Sequence, residues 1–288
     1  MTQVRESFTA AHRATSSVAD SAADSRTMTG LARFGLVAHG FIYLLVGWIA
    51  AQIALGHGGQ EADQHGALAE VAKHSFGIAL LWLLAVGFAA YAIWRISEAI
   101  SGSGVDGDKT KGRLKSAGRG VIYGILCVST VTFILGSSRQ SQDQKHATLT
   151  ARVMQHDLGR WLVGVVGLVL IVAGIVMVVG GLKKKFEKEL RLDELTGATR
   201  TWVLRLGLVG TVARGVVFVI TGLLVLDAAI SFDPKKATGM DGALRTLADR
   251  PFGAWLLGLV ALGLIAFGLF GFAQARWAKT SRSEPIGR

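Results

Sequence analysis

Long apolar blocks separated by charged segments constrain the fold of this chain more than any other feature. Six blocks contain almost no charged residue, and they occupy residues 31–55, 76–98, 116–136, 159–182, 203–230 and 252–275. A stretch of about 20 apolar residues is long enough to cross the hydrocarbon core of a bilayer. Because a backbone in lipid must satisfy its hydrogen bonds internally, each block is expected to be helical. The sequence therefore predicts an all-α integral membrane protein with six transmembrane helices.

The distribution of charge predicts how these helices are oriented. The formal net charge of +11 would suggest nucleic-acid binding in a soluble protein. Here the basic residues lie beside the apolar blocks and no nucleic-acid-binding signature is present, so no nucleic acid partner is expected. Roughly two thirds of the 31 Lys and Arg residues lie in the tails and in the two segments after the second and fourth blocks, which the positive-inside rule assigns to the cytoplasm. Both termini are therefore predicted to be cytoplasmic, with 1–29 as a disordered tail rather than a signal peptide.

The odd-numbered blocks contain an internal repeat that aligns without gaps. Its first copy reads VAHGFIY from Val37, its second AGRGVIY from Ala117, and its third VARGVVF from Val212. The shared columns are a basic one (His39, Arg119, Arg214), a glycine one (Gly40, Gly120, Gly215) and an aromatic one (Tyr43, Tyr123, Phe218). The chain is thus predicted to contain three two-helix repeats, at 30–100, 114–182 and 201–276, followed by a cytoplasmic tail at 277–288. Since each repeat crosses the membrane twice, all three have the same orientation, and a pseudo-threefold axis along the membrane normal is expected.

A second repeated stretch precedes the even-numbered blocks. Residues 66–77 match residues 242–253, and the middle repeat keeps the glycine that ends the stretch. Apolar residues recur three or four positions apart, which predicts a short amphipathic helix on the outer surface before each even helix. The column glycines and the glycines that end this stretch (Gly77, Gly159, Gly253) are interpreted as helix-packing positions.

These columns resemble a family of uncharacterised bacterial membrane proteins, common in actinobacteria, with a triplicated two-helix domain of unknown function. The resemblance rests on the basic, glycine and aromatic columns and on the stretch Gly-Ala-Leu to Pro-Phe-Gly at 242–253, and it covers about 30–276. The sequence departs from the family pattern at Ser75 and in the middle stretch 147–159. The resemblance implies architecture, and with it a place in the bacterial cytoplasmic membrane, but no activity.

The basic column is the candidate ligand site, formed by His39, Arg119 and Arg214 with the aromatic residue one turn later in each repeat (Tyr43, Tyr123, Phe218). A cation deep in a membrane helix is costly unless it faces protein, water or a counter-charge. Under threefold symmetry the three basic groups would converge and could hold an anion, a lipid phosphate or a quinone-like headgroup. The alternative is structural, because an arginine near a helix start often extends to the lipid headgroups.

The sequence gives little indication of a proton-binding acid, a metal site or a catalytic site. Glu98 and Asp227 lie near block ends, where either could pair with a basic group but solvation is favoured. The histidines and acids at 57–74 match no standard metal-binding spacing. No catalytic or cofactor motif is present, so neither an enzyme, a metal nor a cofactor is predicted. Two functions remain open: a non-enzymatic accessory, scaffold or lipid-interacting protein, and a small transporter or carrier for an anionic or amphiphilic ligand. The expected partners are membrane lipids, anionic ones among them, or another membrane protein.

Overall fold

A computed structural model describes residues 26–57, 61–101, 109–136, 142–155 and 158–278, and most of these described residues are helical. The α-helices in this part of the chain are α1 Arg26–Ala54, α2 Gln64–Ala72, α3 Gly77–Ser101, α4 Lys109–Ile134, α5 Gln142–Met154, α6 Gly159–Leu182, α7 Gly197–Ser231, α8 Met240–Ala248 and α9 Gly253–Trp277. Six of them, α1, α3, α4, α6, α7 and α9, are long and apolar enough to span a membrane. This confirms the predicted all-α, six-helix architecture. The predicted tails lie outside the described residues, apart from their inner ends at 26–29 and 277–278.

Helix boundaries differ from the apolar blocks where polar residues continue a helix. The helix α7 begins at Gly197 and runs for 35 residues, whereas its apolar block starts at residue 203. The helix α4 likewise begins at Lys109, before its block at residue 116. Hydropathy marks the part of a helix that lies in lipid, and nothing in these polar extensions breaks a helix. Arg214 consequently lies near the middle of α7.

The spanning helices pack in a cyclic order across the repeats. The most extensive contacts join α1 to α9, α3 to α4 and α6 to α7, so the even helix of each repeat packs on the odd helix of the next. Within the first and third repeats, α1 also packs on α3, and α7 on α9. In the described part of the middle repeat, α4 and α6 make almost no contact. The six helices form a ring with a gap between α4 and α6, and the pseudo-threefold axis stays a prediction.

The glycine column lies where these helices approach most closely. A Cβ atom on Gly40 would lie 2.7 Å from the carbonyl oxygen of Gly268, and one on Gly215 would lie 2.8 Å from that of Gly174. A Cβ atom on Gly120 would lie 2.8 Å from Cγ1 of Ile96. Small residues let backbones approach in lipid, where helix association depends on close packing. Each column glycine therefore allows the even helix of the preceding repeat to pack closely against the odd helix that carries the glycine.

The glycines that begin the even helices have a different role from the contact between spanning helices that was expected of them. A Cβ atom on Gly77 would overlap the carbonyl group of Val71, and Gly159 and Gly253 meet the ends of α5 and α8 in the same way. These glycines allow the tight turn from a short helix into a spanning helix, rather than contact between spanning helices. The short helices α2, α5 and α8 thus lie together at one end of the ring, here called the short-helix end. Their presence confirms the predicted helix before each even span.

Candidate ligand site

A cavity of about 540 Å³ lies inside the helix ring. Aliphatic and aromatic side chains of α1, α4, α6 and α7 form most of its wall, and α5 and residues 237–240 bound it at the short-helix end. Cavities of about 300–1,000 Å³ with apolar walls and a few polar groups are typical of small-molecule sites. The polar groups of this cavity therefore decide what chemistry it can recognise.

Two members of the basic column, His39 on α1 and Arg214 on α7, line the cavity. Their aromatic partners from the repeat, Tyr43 and Phe218, line it with them. An aromatic residue four positions after the basic one lies on the same face of a helix, which is why both members of each pair point into the ring. The structure thus brings together four of the six predicted ligand-binding residues.

The guanidinium of Arg214 lies among three aromatic rings. Its Cζ atom is 5.1 Å from the ring centroid of Tyr43, 5.5 Å from that of Phe218 and 5.0 Å from that of Phe267. Nε of Arg214 is buried without a hydrogen-bond partner, and no described carboxylate forms an ion pair with this side chain. Cation–π contacts hold the cation in place, but they leave its hydrogen-bond donors unused.

His39 is held in the same layer of the cavity by aromatic contacts. Its side chain is 8% exposed, and its ring centroid lies 4.8 Å from Tyr43, 5.1 Å from Tyr123 and 6.0 Å from Phe267. Nδ1 of His39 is buried and has no hydrogen-bond partner. Buried polar atoms are satisfied in the great majority of cases. An unpaired guanidinium and an unsatisfied imidazole in the same cavity are therefore the arrangement that an anionic ligand would complete.

Arg119 departs from the predicted convergence of three basic groups. Its Nη2 lies 2.6 Å from Oε1 of Glu189, and its Nη1 lies 3.2 Å from Oε2 of the same carboxylate. Glu189 ends a 3₁₀ turn, Lys185–Glu189, in the segment between α6 and α7. A bidentate arginine–carboxylate pair is a strong interaction, so Arg119 is neutralised in place and is not a lining residue. Its partner Tyr123 also lies outside the lining and packs between Tyr91 and His39.

Glu98 is buried and paired, which corrects the expectation that it is solvated. Glu98 is 7% exposed. Its carboxylate accepts a hydrogen bond of 2.7 Å from Nη1 of Arg95 and another of 3.0 Å from Oγ of Ser116. The spacing of Arg95 and Glu98 on one helix is a signal that could have predicted the pair. Asp227 is half exposed and pairs with Lys236 at 3.0 Å. Among the described residues, histidines and acids form no group of three that could hold a metal ion.

Two polar residues at the short-helix end of the cavity were not singled out by the sequence. Gln64 begins α2 and Thr238 precedes α8, and both line the cavity. Nε2 of Gln64 and Oγ1 of Thr238 are buried without a hydrogen-bond partner. Their convergence depends on how the first and third repeats pack, and no local pattern in the sequence signals it. The cavity thus carries unsatisfied polar atoms at both of its ends.

Comparison with known proteins identifies the repeat. Each copy matches a family described as Domain of Unknown Function (DUF1206), over residues 34–102, 114–184 and 209–278. The chain belongs to this family. It is also 29% identical over 232 residues to a Bacillus subtilis (strain 168) protein described as "Uncharacterized protein YxxB", and this match covers 80% of the chain and 83% of that relative. No solved structure matches the chain.

The family match and the six spanning helices together confirm a triplicated, multi-pass membrane protein. The descriptions of the family and of the Bacillus relative name no activity.

Proposed function

We propose that this chain is a non-enzymatic membrane protein that binds an anionic amphiphile in the cavity of its helix ring. The observation that carries the proposal is the guanidinium of Arg214, which lines the cavity, is surrounded by aromatic rings and has no counter-anion among the described residues. A charge in this position is costly unless a ligand pairs with it. A bound anion would remove that cost.

The headgroup of the ligand is a carboxylate or a phosphate. Arginine presents planar N–H donors that match the oxygens of both anions, and Nε of Arg214 is unused. With its proton on Nδ1, His39 donates a second hydrogen bond to the anion in the same cavity. Among the described lining residues, no acidic side chain lies beside Arg214 and His39. No carboxylate of the protein therefore competes with the ligand for the guanidinium.

The rest of the ligand is a single apolar chain. Lining residues on α7 run from Arg214 to Val225, which is about 16 Å at ~1.5 Å per residue. That length equals roughly half of the ~30 Å hydrocarbon core, as expected for one acyl chain. Leu126 on α4 and Val166 on α6 contribute to the lining on either side of the gap in the ring. The acyl chain of the ligand would enter the cavity from the bilayer through this gap.

A carrier function is the second candidate, and the position of Arg214 favours it. This residue lies near the middle of α7, which spans 35 residues, and the cavity extends from it to the short-helix end. Substrate sites of membrane carriers typically lie near the bilayer midplane. Binding is the property that both candidates share, so it is tested first.

The test is calorimetric titration of the purified protein in a neutral maltoside detergent. Dodecanoate and dodecyl phosphate distinguish the two headgroups, and dodecyltrimethylammonium is the cationic control of similar chain length. We expect saturable binding of at least one anion, at one site, and no binding of the cation. Arg214→Gln should weaken the binding by about 100-fold, because truncating one member of a desolvated charge pair costs about 2–5 kcal/mol.

Arg119→Gln is the matched control, since this arginine belongs to the same repeat column but pairs with Glu189 outside the cavity lining. It should bind the anion with nearly the wild-type affinity. Equal affinity in wild type and Arg214→Gln, or no binding of either anion, would overturn the proposal.

A further inference from the structure

The short-helix end of the cavity carries a second polar site, and we infer that the ligand has a neutral hydrogen-bonding group, such as a hydroxyl, at the far end of its apolar chain. This inference rests on the proposed function, because it concerns the other end of the same bound molecule. Its basis is the pair of buried, unpartnered atoms Nε2 of Gln64 and Oγ1 of Thr238, which line the cavity far from Arg214.

The two residues come from different repeats, and both line the cavity. Gln64 is the first residue of α2, and Thr238 lies between the 3₁₀ turn Pro234–Lys236 and α8. The amide of Gln64 donates hydrogen bonds, whereas the hydroxyl of Thr238 donates one and accepts others. Together they match a group that both donates and accepts, which a hydroxyl does and a methyl terminus does not.

The neighbouring carboxylate of Asp63 argues against a second anion at this end. Asp63 also lines the cavity, and its Oδ1 accepts the backbone hydrogen bond of Gly66, 2.9 Å long, at the start of α2. A ligand carboxylate placed here would meet a like charge in an environment that solvent screens poorly. The far group is therefore a neutral donor rather than a second acid.

Between the two polar ends, the α7 side of the cavity presents no unsatisfied polar group. On α7 the lining between Arg214 and the short-helix end consists of Val217, Phe218, Thr221 and Val225, and Oγ1 of Thr221 is already bonded to the carbonyl oxygen of Val217 at 2.9 Å. The cavity is thus complementary to a chain with an anion at one end and a hydroxyl at the other. A site built to hydrogen-bond a hydroxyl discriminates against the analogue that lacks it, since its own polar groups are then left unpaired.

Competition between matched acids tests the inference. The probes are unbranched acids of 10 to 16 carbons in three forms, namely the plain acid, the terminally hydroxylated acid and the diacid, titrated in the same neutral maltoside. At the best chain length we expect the hydroxy acid to bind about 10-fold more tightly than the plain acid, from one to two added hydrogen bonds. The diacid should bind more weakly than the hydroxy acid.

Thr238→Val and Gln64→Leu assign the preference to these side chains, because both remove the polar atoms and keep a similar volume. Each variant should reduce the hydroxy-acid preference to about 2-fold or less while its affinity for the plain acid stays near that of wild type. Equal binding of plain and hydroxy acids at every chain length would overturn the inference but leave the proposed function intact. Failure of every acid to bind would overturn both.

Discussion

Replacing Arg214 by methionine separates a ligand-binding role from a structural one. Arg214 has aromatic neighbours on three sides and no ion pair with a described residue. Losing three cation–π contacts costs about 2–3 kcal/mol. Replacing buried ionic groups by apolar side chains of similar volume is neutral or stabilising by about 1–4 kcal/mol, and Arg214→Met makes this kind of replacement. Because these effects nearly cancel, we expect the free energy of unfolding of ligand-free Arg214→Met to lie within about 1 kcal/mol of wild type.

Arg95→Met provides the structural contrast on α3. Arg95 donates to Glu98 at 2.7 Å and to the hydroxyl of Tyr91 at 2.8 Å, and the Glu98 carboxylate is 7% exposed. Removing Arg95 keeps the hydrogen bond from Ser116 but deprives the buried carboxylate of the guanidinium that balances its charge. Breaking a buried ion pair in this way costs about 3–5 kcal/mol, so this variant should be clearly destabilised.

The assay is steric trapping, or thermal unfolding, of delipidated protein in neutral bicelles, with and without dodecanoate. The ligand should raise the stability of wild type and leave Arg214→Met unchanged, since only protein that binds ligand gains stability by mass action. Ligand-free Arg214→Met that is destabilised as strongly as Arg95→Met would refute the reasoning. Arg214 would then be a structural residue.

Two further predictions concern the ring and its gap. Gly174→Val should lower the free energy of unfolding by about 1–3 kcal/mol, because its Cβ would lie 2.7 Å from the facing carbonyl oxygen of α7; unchanged thermal stability would show that this contact is loose. Leu126 and Val166 line the cavity beside the gap, and replacing both by tryptophan should slow the exchange of bound dodecanoate with vesicles about 10-fold or more. The control replaces Val128 and Val169, which are exposed and do not line the cavity, and it should leave the exchange rate unchanged. Stopped-flow fluorescence measures both rates, and equal rates in the two variants would exclude entry through the gap.

The spans and the repeat were predictable from sequence because both are one-dimensional patterns. A run of apolar residues is sufficient to identify a helix in lipid, and the columns that begin at His39, Arg119 and Arg214 align without gaps. The short helices before the even spans were predictable for the same reason, since their apolar residues recur with helical spacing. Helix ends such as Gly197 were harder to predict, because hydropathy does not indicate where a polar extension of a helix ends.

The composition of the site was only half predictable, because it depends on contacts between distant residues. The repeat implied that Arg119 and Arg214 are equivalent, but Glu189 reaches Arg119 across 70 positions of sequence. No counterpart pairs with Arg214 among the described residues. Gln64 and Thr238 belong to segments that align poorly between repeats, so nothing in the sequence marked their unpaired atoms. The cavity therefore contains one arginine of the basic column without an ion pair among the described residues, and its wall has a gap between α4 and α6 of the middle repeat.

The most direct test of the proposed cavity ligand is the native mass spectrum of the protein purified from its membrane in mild neutral detergent. The wild type should carry one bound anionic amphiphile, the Arg214→Gln protein should lose it, and the Arg119→Gln protein should retain it. Fragmentation of the released molecule would then identify its headgroup and show whether its far end carries a hydroxyl. A wild-type protein without a bound molecule, or the same molecule retained by Arg214→Gln, would contradict the assignment of the cavity as an anion site.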